Sequence, residues 1–237
     1  PTEKAVSMIP RVQQILADIE GLVTPERYEP ARDTKPAVIA IPTPALLQDM
    51  KALQAKIRAA SPHLKLEIRR LAPRNRINDM LTHDEADMAI SVAGFAYPAT
   101  LNHCVYDTDR FAVFYDPAHR GPVRNAQEYA AARHGSVNFG GSVKSEVEKA
   151  LARLALEREV SLVAPTASML GDLIEGTDVI ATMPRGLARN AYKGLAHCPP
   201  PIDLPEIAYH LVWHRRYEHS ARHIWLRDLV MSSRSGA

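Results

Sequence analysis

Cysteine is scarce in this chain: Cys104 and Cys198 are the only two in 237 residues. So few thiols exclude a disulfide-built scaffold and leave two free thiols in a reducing compartment, or at most one bridge. No apolar run approaches the ~18 residues of a membrane-spanning helix, so no membrane partner is expected. No signal peptide is visible, which fits a cytoplasmic chain. The formal net charge is +2, without the basic excess of a nucleic-acid surface. No G-x-S-x-G elbow, Walker loop, G-x-G-x-x-G turn or H-E-x-x-H pair occurs. Asp84, Glu85 and Asp87 cluster, but they read as turn residues and the start of a strand, and Asp172 and Glu175 as the wet face of a helix. The chain is therefore expected to be no enzyme, and no motif implies a cofactor.

His210, His214, His219 and His223 lie close together near the C-terminus. Tyr209–His214 reads as a short strand. On it His210 and His214 share a face but stand roughly 13 Å apart at ~3.3 Å per residue, too far for one ion with bonds of about 2 Å. Ser220 reads as an N-cap, and Ala221–Met231 has helical apolar spacing. His219 then precedes the cap and His223 falls in the first turn. No metal site is expected; a polar-tipped strand feeding an amphipathic helix is.

With 46% hydrophobic residues the chain can build one large core or two lobes. Ala5, Ile9, Val12, Leu16, Ile19 and Val23 recur at spacings of 4, 3, 4, 3 and 4, a heptad seam suited to pairing with a second chain. An amphipathic helix packed on its own domain is the alternative. The polar, proline-containing stretch 24–36 follows as a linker.

From Ala37 strands and helices alternate. Strands are expected at Ala37–Ile41, Leu64–Leu71, Ala86–Val92, Thr108–Tyr115, Ser136–Phe139, Val160–Ala164 and Asp178–Met183. Helices are expected at Pro44–Ala60, Arg74–Thr82, Asn125–Ala132, Ser142–Leu156, Thr166–Glu175 and Pro184–Tyr192. Such alternation makes βαβ units around parallel sheets, here in two lobes. In open α/β sheets, ligands sit beyond the carboxyl ends of the strands. Three helix-opening loops stand there: Ile41-Pro42-Thr43-Pro44, Phe139-Gly140-Gly141-Ser142 and Ala164-Pro165-Thr166. Each offers backbone N–H groups and a hydroxyl, which favours an anion such as a carboxylate.

The order of several short motifs resembles the LysR-type transcriptional regulators without their DNA-reading region. Ser61-Pro62, Leu64, Leu66, Leu81 and Asp87-Met88-Ala89-Ile90 are similar to the first regulatory subdomain. Val163-Ala164-Pro165 and Thr177–Pro184 are similar to the second. Trp213-His214-Arg215-Arg216 and Trp225-Leu226-Arg227 resemble the ending of the branch holding the nodulation and naphthalene/salicylate regulators.

The resemblance implies an α/β fold like the type 2 periplasmic binding proteins, two lobes preceded by an N-terminal linker helix. The implied parts are a dimerisation helix 1–23, a linker 24–36, subdomain I at 37–107 and 208–237, and subdomain II at 108–207. The crossings fall near Cys104–Thr108 and Ile207–His210. A small effector is implied between the lobes, held by Thr43 and Pro44, by Pro73 or Arg74, and by Asn138, Phe139, Gly140 and Ser142. Pro165 and Thr166, and Trp213 and His214 flanking the cleft, complete that set. Two prolines flank Thr43, and Ala164-Pro165 stands where Val-Pro is common, so the ligand pose departs from the family pattern. An aromatic lining from Phe139 and Trp213, with Phe95 either lining or core, suits an aromatic acid. His214 either pairs with its carboxylate or lies on the surface.

Homodimers or homotetramers are implied through Ile9, Val12, Leu16 and Ile19. The helix Pro44–Ala60, with Leu46, Met50 and Leu53, is implied to pack on Ala167–Glu175 of the partner, so that Leu53→Asp weakens the dimer. DNA contact would come only from a helix-turn-helix that this sequence does not include. The competing reading is a soluble solute-binding protein of the same fold.

Overall fold

The computed structural model describes residues 28–234, apart from 43, 72–73, 95 and 139–144, together with Val12. Thr43, Pro73, Phe95, Phe139, Gly140 and Ser142 lie outside the described residues, as do Ile9, Leu16 and Ile19.

Among the described residues ten strands form two five-stranded sheets. The first lobe holds β1 (Ala37–Ile41), β2 (Leu66–Arg70), β3 (Met88–Val92), β4 (Leu101–Asp109) and β10 (Ile207–His214) in the order β2-β1-β3-β10-β4. The second holds β5 (Phe111–Tyr115), β6 (Arg133–Val137), β7 (Glu159–Ala164), β8 (Ile180–Pro184) and β9 (Ala196–Cys198) in the order β7-β6-β8-β5-β9. In each sheet four strands run parallel and one, β10 in the first and β5 in the second, runs against them. The sheets are thus mixed, because each crossing strand enters its lobe from the cleft end.

The strand expected at Thr108–Tyr115 is two strands in two sheets. β4 ends at Asp109 and β5 begins at Phe111, so the chain changes lobe at Arg110. β10 begins at Ile207 and stays in the first sheet throughout. Both expected crossings therefore fall inside strands of the first lobe. The alternation in β4 is weak because β4 is an edge strand, and its exposed face carries His103 and Val105.

Helices cover both faces of each sheet. In the first lobe α1 (Leu47–Ala60) and α6 (Ala221–Ser232) lie on one face. There Met50, Leu53, Ile57, Leu226 and Val230 bury against Ile39, Ile90, Tyr209 and Leu211. On the other face α2 (Ile77–Thr82) buries Ile77 and Leu81 against Ala40 and Val212. Adjacent strand residues such as Leu211 and Val212 serve opposite faces, as pleating requires. In the second lobe α5 (Ala167–Ile174) packs Leu170 and Ile174 near Phe114 and Tyr192. A Cβ at Gly171 would come 2.6 Å from the Tyr192 ring, so glycine lets α5 approach that closely. On the opposite face α3 (Ala126–Ala130) and α4 (Glu146–Arg153) bury Tyr129 and Leu151 on Val113 and Ile180.

Caps follow local sequence chemistry. Ser145 and Glu148 form a reciprocal capping box at the start of α4. Thr166 Oγ1 accepts from Met169 N at 3.2 Å, as its place before α5 predicts. Ser220 stands at the N-cap of α6 but makes no side-chain cap bond. The helix expected at Pro184–Tyr192 is a short 3-10 segment, Arg185–Arg189, followed by turn.

Candidate effector cleft

The parallel strands of the two lobes point their carboxyl ends at one another. Arg70, the last residue of β2, donates from Nη2 to the Pro165 carbonyl at 3.2 Å, just past the end of β7. Gln48 of α1 reaches the Arg189 carbonyl at 3.5 Å. At the crossing, Asp109 Oδ2 accepts from Gly186 N at 3.0 Å and Oδ1 accepts from Arg110 N at 2.7 Å. In each of these three interlobe bonds a first-lobe side chain meets second-lobe backbone. A Cβ on Gly186 would stand 3.0 Å from that carboxylate and 3.3 Å from the Ala45 carbonyl, so glycine admits this approach of the lobes. Burial pushes the Asp109 carboxyl above its ordinary range, against the lowering effect of its two backbone donors and of nearby Arg189.

Of the residues expected to bind effector, Asn138, Pro165 and Thr166 stand exposed on the second-lobe rim. Asn138 N bonds the Ala164 carbonyl at 3.0 Å, which ties the loop after β6 to the loop after β7. Pro44 opens the 3-10 turn Pro44–Leu46 and Arg74 opens the turn Arg74–Arg76, each following a first-lobe strand. Their side chains, like all of Thr43, Pro73, Phe139, Gly140 and Ser142, are outside the described set. Arg70, Asp109 and Gly186 were not expected. A strand-terminal arginine and a glycine after a strand carry no pattern that separates them from surface residues.

Trp213 and His214 are corrected by the register. Trp213 pairs with Met88 at the start of β3, whereas Tyr209 pairs with Val92 at its end. Because β10 runs antiparallel, Trp213 sits roughly 13 Å from the cleft end at ~3.3 Å per residue. It is a core residue there, donating from Nε1 to Glu218 at 2.7 Å beneath the Arg227 guanidinium, 4.6 Å from the ring. His214 Nδ1 accepts from Arg216 N at 3.2 Å and so caps the turn Arg215–Tyr217. Arg227 bonds the Tyr217 and Glu218 carbonyls. The C-terminal signature thus builds the pole of the first lobe opposite the cleft.

The remaining histidines have separate settings. His210 stacks on His103 at 5.0 Å beside Tyr97. His223 is buried, 3.5 Å from Asp87 and stacked on Tyr217 at 4.0 Å. Cys104 and Cys198 are free, one in each sheet, and burial pushes both thiols upward.

The expected dimer residues on α1 and in the turn before it are corrected too. Leu46, Met50 and Leu53 are 5%, 5% and 0% exposed and fill their own lobe's core. Exposed apolar residues among the described ones include Leu47 on α1 and Ile68 on β2 in the first lobe, and Val160 and Val163 on β7 and Met169 and Leu173 on α5 in the second. Val12 is helical and exposed.

This architecture has relatives. A family model described as the LysR substrate binding domain matches residues 37–234. The HTH-type transcriptional activator NagR of Ralstonia sp is 25% identical, over 98% of this chain and 78% of that protein. Nodulation protein D 2 of Sinorhizobium fredii is 23% identical, over 98% of this chain and 75% of its own length. Among solved structures, the probable transcriptional regulator PA0477 from Pseudomonas aeruginosa superposes with a TM-score of 0.74 at 25% identity, covering 97% of this chain and 77% of that one. The regulatory domain of MexT from the same organism gives 0.72 at 23% identity, covering 86% and 100%. The chain belongs to the LysR substrate-binding-domain family and carries the effector-binding domain of a LysR-type transcriptional regulator.

Proposed function

We propose that a small carboxylate, aromatic in class, binds between the two lobes and shifts their closure. The supporting observation is the meeting of strand carboxyl ends across the cleft, where Arg70 reaches the Pro165 carbonyl beside the start of α5. A guanidinium on one rim and a helix N-terminus on the other both favour an anion. The groups proposed to line the cleft are Thr43, Pro44, Pro73, Arg74, Asn138, Phe139, Gly140, Ser142, Pro165 and Thr166, now with Arg70. A ligand shifts closure only by binding the two states unequally.

The reading extends to a cytoplasmic homo-oligomer without turnover of its effector, paired through the exposed residues of α5, β7, β2 and α1. DNA contact comes through a segment N-terminal to this one. A monomeric solute-binding protein is the competing assignment, and the heptad seam from Ala5 to Val23 favours the oligomer. A thermal-shift panel of aromatic and aliphatic carboxylates tests the binding. A carboxylate at ~100 times its Kd is expected to add ~2.7 kcal/mol to stability. No rise with any carboxylate, alongside a rise with neutral or cationic compounds, contradicts the anion assignment.

A further inference from the structure

The segment 28–36, expected to be a plain linker, is anchored at the pole opposite the cleft. Arg222 of α6 donates from Nε to Asp33 at 2.7 Å, from Nη1 to Asp87 at 2.9 Å, and from Nη2 to the Lys35 and Pro36 carbonyls at 2.9 and 3.0 Å. Three of these four acceptors belong to the entering segment; Asp87 belongs to the lobe, where its other oxygen accepts from Val38 N at 2.8 Å. Tyr28 adds two contacts. Its hydroxyl donates to Asp33 at 2.6 Å and its ring lies 5.4 Å from Trp225 on α6. Ser61, at the end of α1, reaches the Asp33 carbonyl at 3.4 Å. The side chains of Arg222, Asp33 and Asp87 are 14%, 8% and 7% exposed.

A cation needed only to neutralise Asp87 would have no use for a second carboxylate and two carbonyls of the entering chain. The planar guanidinium satisfies all four in one fixed geometry, which an ammonium cannot do. His223 is not the neutralising cation: burial pushes it down to about 4, so it is uncharged at neutral pH.

We infer that Arg222 and Asp33 are positioning residues, a clasp that fastens the segment 28–36 to the first lobe and fixes where and in which direction the chain enters it at residue 28. Closure of the second lobe is then read against a frame that includes the segment 28–36. The clasp lies at the start of β3, away from the cleft, and does not depend on which effector binds.

Hydrogen–deuterium exchange on the intact chain tests this with Asp33→Asn, which leaves the Arg222–Asp87 pair in place, and with Arg222→Gln. Asp33→Asn is expected to speed exchange in 28–36 by at least about tenfold, through local opening, with β1, β3 and α6 unchanged. Unchanged protection of 28–36, or an equal rise across the whole lobe with a lowered melting point, overturns the inference. The second readout is the distance between spin labels at Val12→Cys and Lys65→Cys, with both native cysteines changed to serine and labelled chains diluted into unlabelled ones. The distribution should widen in Asp33→Asn; one that matches the parent chain contradicts the clasp even where exchange has changed.

Discussion

Trp213 shows how one side chain can be read rightly as important and wrongly as a ligand contact. Its indole donates to Glu218, which also accepts from Asn102 Nδ2 at 2.6 Å, and those two donors hold the Glu218 carboxyl below its ordinary range. Trp213→Phe removes a bond to a charged acceptor and weakens the Arg227 contact, together about 1–2 kcal/mol. The expected result is a lower urea midpoint with effector affinity unchanged; lost affinity at unchanged stability would return Trp213 to the cleft. His134 sets a pH dependence. It is fully buried, with Nε2 on the Tyr129 carbonyl at 2.8 Å, and burial pushes it from 6.5 down to about 4. Between those values the unfolded chain binds a proton that the folded chain refuses. Stability is therefore full above the unfolded value and falls as pH drops through this window, by on the order of 2 kcal/mol from pH 7 to pH 5 for one such group. Urea midpoints at the two pH values measure the loss, and His134→Gln should shrink it; an equal slope in the variant assigns the dependence elsewhere.

Elements were legible where periodicity is strong. Ala37–Ile41 and Ala167–Ile174 stand where the pattern put them, and Thr166 caps as its position implies. Three features escaped for physical reasons. β4 is an edge strand whose alternation is diluted by Asn102, His103 and Asp107. β9 has three residues and no pattern of its own. β6 begins earlier than expected, at Arg133, because His134 and Gly135 are buried although neither marks a strand in sequence. The dimer face failed at the same level. Periodicity gives the apolar stripe of Pro44–Ala60, but only the packed fold shows that Leu46, Met50 and Leu53 are buried inside the lobe. Leu53→Asp is therefore expected to unfold the first lobe by burying an unpaired charge. The pair Met169→Asp and Leu173→Asp, at positions 47% and 45% exposed on α5, should lower the molar mass in solution while the melting point stays within about 3 °C, as surface changes do. An unchanged mass places the interface elsewhere.

At the scale of the whole molecule, two lobes meet at strand carboxyl ends while the entering chain and the C-terminal helix lock together at the far pole. The sequence held half of this division. Helix-opening loops marked one end, but the direction of β10 was needed to assign the Trp213–Arg227 signature to the other. A local pattern carries no sign for parallel or antiparallel pairing, so the register between Tyr209 and Val92 had to come from the fold. On the proposed reading, sensing at one end and fastening at the other would let closure be transmitted as a rigid rotation of lobes. The most direct measurement is hydrogen–deuterium exchange of the chain with and without the carboxylate that binds best. Protection is expected in 41–46, 138–146 and 165–170, with 213–219 unchanged. Protection centred on 213–219, or none in the loops of either lobe, would contradict a sensing site in the cleft.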